Sequence, residues 1–144
     1  VHQPLHCTSR FTQKHGAPEG DRGGNAFKIK PFKVFDAVHP IDNLHSFWDD
    51  QLGTSETFTA VRSLATSLMS AFPPQDPIDI TEQDWIDESF NAATTFVYKL
   101  GKDEPGDPKP KITATYKTGA EAIARQRMAL AGYRLAEILN QKFQ

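Results

Sequence analysis

A single cysteine, Cys7, stands in 144 residues, so no disulfide framework holds this chain together. An odd cysteine is either a free thiol or half of a bridge whose partner lies elsewhere, and the redox compartment is not readable from it. No run of about 18 apolar residues occurs, which excludes a transmembrane helix. There is no recognisable signal peptide and no N-x-[ST] sequon. Neither sign of charge dominates, with 16 Lys and Arg against 18 Asp and Glu, so composition advertises no basic surface for nucleic acid. Any such contact has to be local or carried by metal ions. An initiating Met is also missing: the chain opens on VHQPLH, a dense stretch that reads as the start of a fragment or of one half of a processed protein. The length suits one domain with a real core.

What is present divides into an irregular beginning and a helical remainder. Gly16, Gly20, Gly23, Gly24, Pro18, Pro31 and Pro40 prevent a long helix before residue 42, although AFKIKPFKVF allows a short strand or hairpin arm over residues 27–35. A short helix is expected over 43–52, with Asn43 as N-cap and Gly53 as its stop. A second is expected over 55–71, burying Phe58, Val61, Leu64, Ala65, Leu68, Met69 and Phe72. After PPQDP, Thr81 caps a third helix reaching Leu100, with Trp85, Ala92, Ala93, Phe96 and Leu100 inward. KDEPGDPKPK is a solvated loop. The last helix spans about 113–142, with Ala120, Ala124, Met128, Ala131, Leu135 and Leu139 as its stripe and Arg125, Arg127 and Arg134 solvated or ion-paired. Trp85 and Phe96 are expected to bury against it. The class is mainly α.

Three short stretches carry chemistry. In HQPLH, His2 and His6 stand four apart, and in NLHSFWDD so do His45 and Asp49, the spacing that stacks side chains on one helical face. Each pair alone is an ordinary surface contact or a pair of metal ligands. Together they offer imidazoles and a carboxylate, donors that zinc accepts. His15 and His39 lie in loops without an ionisable neighbour at ligand spacing and are assigned to the surface. In DRGGN, residues 21–25, paired glycines permit unusual backbone angles and close approach to the main chain, or form a plain turn. Asp21, Arg22 and Asn25 around them favour the ligand-binding reading, since Arg pins phosphate and an Asn amide reads a base edge or locks the loop.

HQPLH, then DRGGN, then NLH-x-x-WD resembles the zinc-dependent single-strand-specific nuclease and 3′-nucleotidase family of the S-one/P-one type, which shares a helical fold with zinc phospholipase C. W-x-x-ES (85–89) and AGYRLAEILN (131–140) look like the closing helices of that family, extending the resemblance over the chain. The resemblance implies that His6, His45 and Asp49 are ligands of one Zn2+ ion in a cluster of three, with His2 behind them and Asp21, Arg22 and Asn25 on a loop near the substrate cleft. It implies hydrolysis of single-stranded DNA, RNA and 3′-nucleotides to 5′-phosphate products, in a secreted or endolysosomal setting. It also implies that the bridging aspartate, expected just before Val1, and the other ligands belong to an upstream half of the same domain. On that reading the chain is a carboxy-terminal portion, inactive alone. Two rivals stand beside it: a phospholipase C-like esterase using the same metal, and a truncated module without activity.

Overall fold

The computed structural model describes residues 2–32, 40–53, 55–75 and 77–143. A 3-10 turn, Pro4–Cys7, opens the chain and is followed by an irregular loop. Strand β1 (Lys28–Phe32) pairs antiparallel with β2 (Ile41–Asn43), in a register shifted between Lys28↔Asn43 and Phe32↔Ile41. The expected arm is therefore present in residues 28–32, while 33–35 and His39 lie outside the described residues. Four helices follow: α1 (Leu44–Asp49), α2 (Phe58–Ala71), α3 (Glu82–Thr95) and α4 (Ala114–Phe143). The fold is mainly α, as the sequence indicates. No helix among the described residues is long and apolar enough to cross a membrane.

Helix starts follow local chemistry. The Asn43 side chain accepts from the Ser46 N–H at 2.9 Å, and α1 tightens into a 3-10 turn (Asp50–Leu52) before Gly53. Thr57 caps α2 through the Ala60 N–H. Thr81 occupies the N-cap of α3 without a side-chain cap bond, and α3 ends before Phe96, giving way to a 3-10 turn, Val97–Leu100.

The core lies where the HQPLH turn, the strands, α1, α3 and α4 meet. It contains Leu5, Phe27, Ile29, Leu44, Phe47, Trp48, Ala93, Val97, Tyr116 and Ala120. The Trp48 indole N–H donates to the Tyr116 hydroxyl at 3.1 Å, and that hydroxyl donates to the Val97 carbonyl at 2.7 Å. Phe96 stacks on Tyr116 with centroids 5.0 Å apart. Burial raises the Tyr116 hydroxyl pKa, so it remains a proton donor. Trp85 is buried and Phe96 partly so, the scaffold expected behind the metal segments.

Two apolar stripes are corrected. In α2 only Leu68 is buried, while Phe58, Val61 and Met69 are exposed. In α4 the inward line runs Tyr116, Ala120, Ala124, Arg127, Ala131, Arg134; Met128, Leu135 and Leu139 sit to one side and are exposed. Of the arginines expected to be solvated or ion-paired, Arg127 and Arg134 are ion-paired and only 7% and 4% exposed, because α3 supplies their counter-charge. Arg134 grips Glu88 with both amino groups, at 2.9 and 2.8 Å, and Arg127 binds the same carboxylate. Arg127 also donates to the Trp85 carbonyl and the Ser89 hydroxyl. A guanidinium enters a protein interior at tolerable cost when its donors are met in this way. His15 is corrected too: its Nε2 lies 2.8 Å from Asp103 Oδ2, and Lys14 meets the other oxygen. A carboxylate remote in sequence, on the 101–112 loop, takes this histidine off the surface.

Candidate metal centre

His6 stands on the 3-10 turn and His45 and Asp49 on α1, yet the three converge. Each offers one ligand atom, and those atoms all lie within 4.8 Å of one another. His6 Nε2 is 3.3 Å from Asp49 Oδ1, His45 Nε2 is 3.4 Å from Asp49 Oδ2, and the two imidazoles stack at 5.2 Å. The group opens to solvent: the side chains of His6 and Asp49 are nearly half exposed, that of His45 less so.

The glycine pair holds this geometry. His45 Nδ1 lies 2.7 Å from the Gly23 carbonyl. A carbonyl only accepts, so Nδ1 carries the hydrogen and the Nε2 lone pair points at Asp49. A neutral imidazole and a carboxylate facing at 3.4 Å are two acceptors, a pair that a cation between them satisfies, whether a proton on Nε2 or a metal ion. The donor set thus fits a divalent ion taking nitrogen and oxygen ligands. What approaches the main chain of DRGGN is the protein itself. A Cβ on Gly23 would stand 2.5 Å from the Leu5 carbonyl, and one on Gly24 would stand 2.9 Å from Leu5 Cδ1. Both glycines have positive φ, at +62° and +82°, and the His45 N–H donates to the Gly24 carbonyl.

The remaining site candidates separate. Asp21 is fully buried, which corrects its placement in a cleft. Its Oδ1 accepts from the Arg10 N–H at 2.9 Å and from the Tyr98 hydroxyl at 3.1 Å, holding the loop to the helical scaffold. Arg22 is exposed, with φ +53° and a loose approach to Glu19 at 4.0 Å. Asn25 is exposed and donates to the Arg22 carbonyl, so it locks the loop. His2 is outside the three-residue group. Arg134 donates to its Nε2 at 2.9 Å, and its carbonyl accepts from Arg127. Desolvation, then the charges of Arg127 and Arg134, lower its pKa to about 4, so the ring is neutral.

The sequence reading missed Gln3, whose side-chain N–H donates to Asp49 Oδ1 at 3.1 Å. Its only sequence signal was its place at the N-cap of a proline-started turn. Beside the group lies a cavity of about 250 Å³ lined in part by Gln3, His6, Trp48, Asp49, Arg127 and Met128. W-x-x-ES and AGYRLAEILN also meet: Trp85, Glu88 and Ser89 of the former bind Arg127, and Glu88 binds Arg134 of the latter.

No curated protein matches the chain. The family model described as S1/P1 Nuclease matches residues 1–144. That match spans every element described above, and the protein belongs to the S1/P1 nuclease family, a family of metal-dependent nucleases.

Proposed function

We propose that the protein serves as a zinc-dependent nuclease acting on single-stranded DNA, RNA and 3′-nucleotides and leaving 5′-phosphate products, with His6, His45 and Asp49 as the ligands of one ion. The observation that carries this is the convergence of the three ligand atoms from segments far apart in the chain. The bound ion would supply Lewis acidity, activating water and neutralising charge on phosphoryl oxygens. The chain's own residues do the rest. Gly23 fixes the His45 tautomer, α1 keeps Asp49 one turn beyond it, and the partly exposed His6 leaves the centre open on one side. The adjoining cavity leaves room for a substrate group beside the ligands. Metal-held phosphate also reconciles a net charge of −2 with a polyanionic substrate. A secreted or endolysosomal setting belongs to the same proposal.

The test is cleavage of single-stranded oligonucleotides with and without a chelator, together with nucleoside 3′-phosphate and phosphatidylcholine micelles. For the chain joined to the upstream half that the resemblance implies, the expected result is loss of cleavage on chelation, recovery with zinc, and no recovery in His45→Ala, whereas the 144-residue chain alone is expected to be inactive. Zinc-dependent turnover of the lipid and not of the nucleotide would overturn the nuclease reading in favour of a phospholipase.

A further inference from the structure

We infer that Gln3 is a positioning residue of the metal centre, its single amide orienting Asp49 while capping the turn that carries His6. This rests on the zinc-site reading above. The amide's orientation follows from its partners. The Leu5 N–H can only donate, so the Gln3 oxygen must face it, and the Gln3 nitrogen must face Asp49 Oδ1. One side chain thereby ties the two segments that supply the ligands. With Oδ1 held by Gln3, Oδ2 is the oxygen turned toward the His45 lone pair.

A carboxylate on a half-exposed Asp is otherwise free to rotate and exchange its oxygens, and that freedom is lost when a metal binds. Holding Oδ1 beforehand removes part of the cost. The residue type is demanding. It needs an acceptor for Leu5 and, at the same time, a donor long enough to reach α1. Serine or aspartate would keep the cap and lose the reach, and methionine would lose both.

Those two kinds of loss separate positioning from folding. Zinc affinity is measured by competition with a chromophoric chelator, and site geometry by the visible absorption of the Co2+-loaded protein. The full chain is compared with Gln3→Ser, Gln3→Met and His45→Ala. Positioning predicts zinc binding weakened about 10- to 100-fold in both Gln3 variants, as for other partners that orient ligands. It also predicts an altered Co2+ spectrum in both, with the thermal unfolding of Gln3→Ser unchanged. Wild-type affinity in Gln3→Ser, with weakened binding only in Gln3→Met, would show a cap and nothing more and would overturn the inference. Equal, weak binding by the wild type and His45→Ala would instead remove the zinc site itself, and the role of Gln3 with it.

Discussion

Gly23 meets the Leu5 carbonyl so closely that even a methyl group has no room, and at φ +62° it adopts a backbone state that side chains resist. Gly23→Ala should therefore destabilise the fold by about 1–3 kcal/mol, read from denaturant unfolding. Because the same residue's carbonyl holds His45 Nδ1, zinc affinity should fall in the surviving folded fraction. Gly53 makes an instructive contrast, since its added Cβ would meet nothing within 4 Å. Gly53→Asn should be strained, because φ 85° with ψ 171° is a backbone state that glycine almost alone adopts, yet it should leave the zinc affinity of the folded protein unchanged.

At the scale of elements, α3 and α4 are joined through Glu88. Its bonds to Arg134, opposed by partial desolvation and aided by Arg127, hold its pKa down to about 2. Glu88→Gln would leave Arg127 without its counter-charge and Arg134 with Asp79 alone at 3.4 Å, costing about 2–4 kcal/mol of unfolding free energy. The wild-type contribution is fully present above the unfolded carboxyl pKa of 4.5 and is lost as pH falls toward about 2. His2 acts in the same direction at higher pH. Its folded pKa of about 4 lies below the ordinary histidine value of 6.5, so between those limits the unfolded chain binds more protons. Stability should fall as pH drops from 6.5 to 4, before Glu88 responds. His2→Gln can still accept from Arg134 and does not titrate, so equilibrium unfolding across that window should become flatter. The exposed sides of α2 and α4 should be indifferent: Phe58→Ser and Leu135→Ser are expected to change stability by about 0.5 kcal/mol or less.

For the molecule as a whole, one group of three metal-ligating residues exists among the described residues. The expected stoichiometry is therefore one tightly held zinc ion per chain, measured by metal analysis after gel filtration. An ion that binds only the folded state stabilises it by mass action. Free zinc at one hundred times Kd should add about 2.7 kcal/mol, and a chelator should reverse the gain. Retention of three ions by this chain would contradict the single-site reading, and a thermal midpoint indifferent to zinc would contradict metal binding by the folded state.

The grouping of His6, His45 and Asp49 was legible in the sequence because much of its information is local. Four-residue spacing places His45 and Asp49 on one helical face, and the order of HQPLH, DRGGN and NLHSFWDD identifies the family to which the whole chain is matched. The helix start at Asn43 was equally local, because a cap is a bond between residues three apart, and Thr57 caps α2 in the same way a little beyond the expected start at 55. What the tertiary structure decided involves partners remote in the chain. Apolar periodicity placed Ala120, Ala124 and Ala131 inward but carried Met128, Leu135 and Leu139 with them, because only Glu88, with Asp79 for Arg134, makes Arg127 and Arg134 buriable in their place. His15 left the surface for Asp103, Asp21 turned inward to Arg10 and Tyr98, and Gln3 reached Asp49 across a fold that brings the opening turn onto α1. Spacing along a chain determines which side chains share a face. Which charge meets which face depends on packing between elements, and no single segment encodes that.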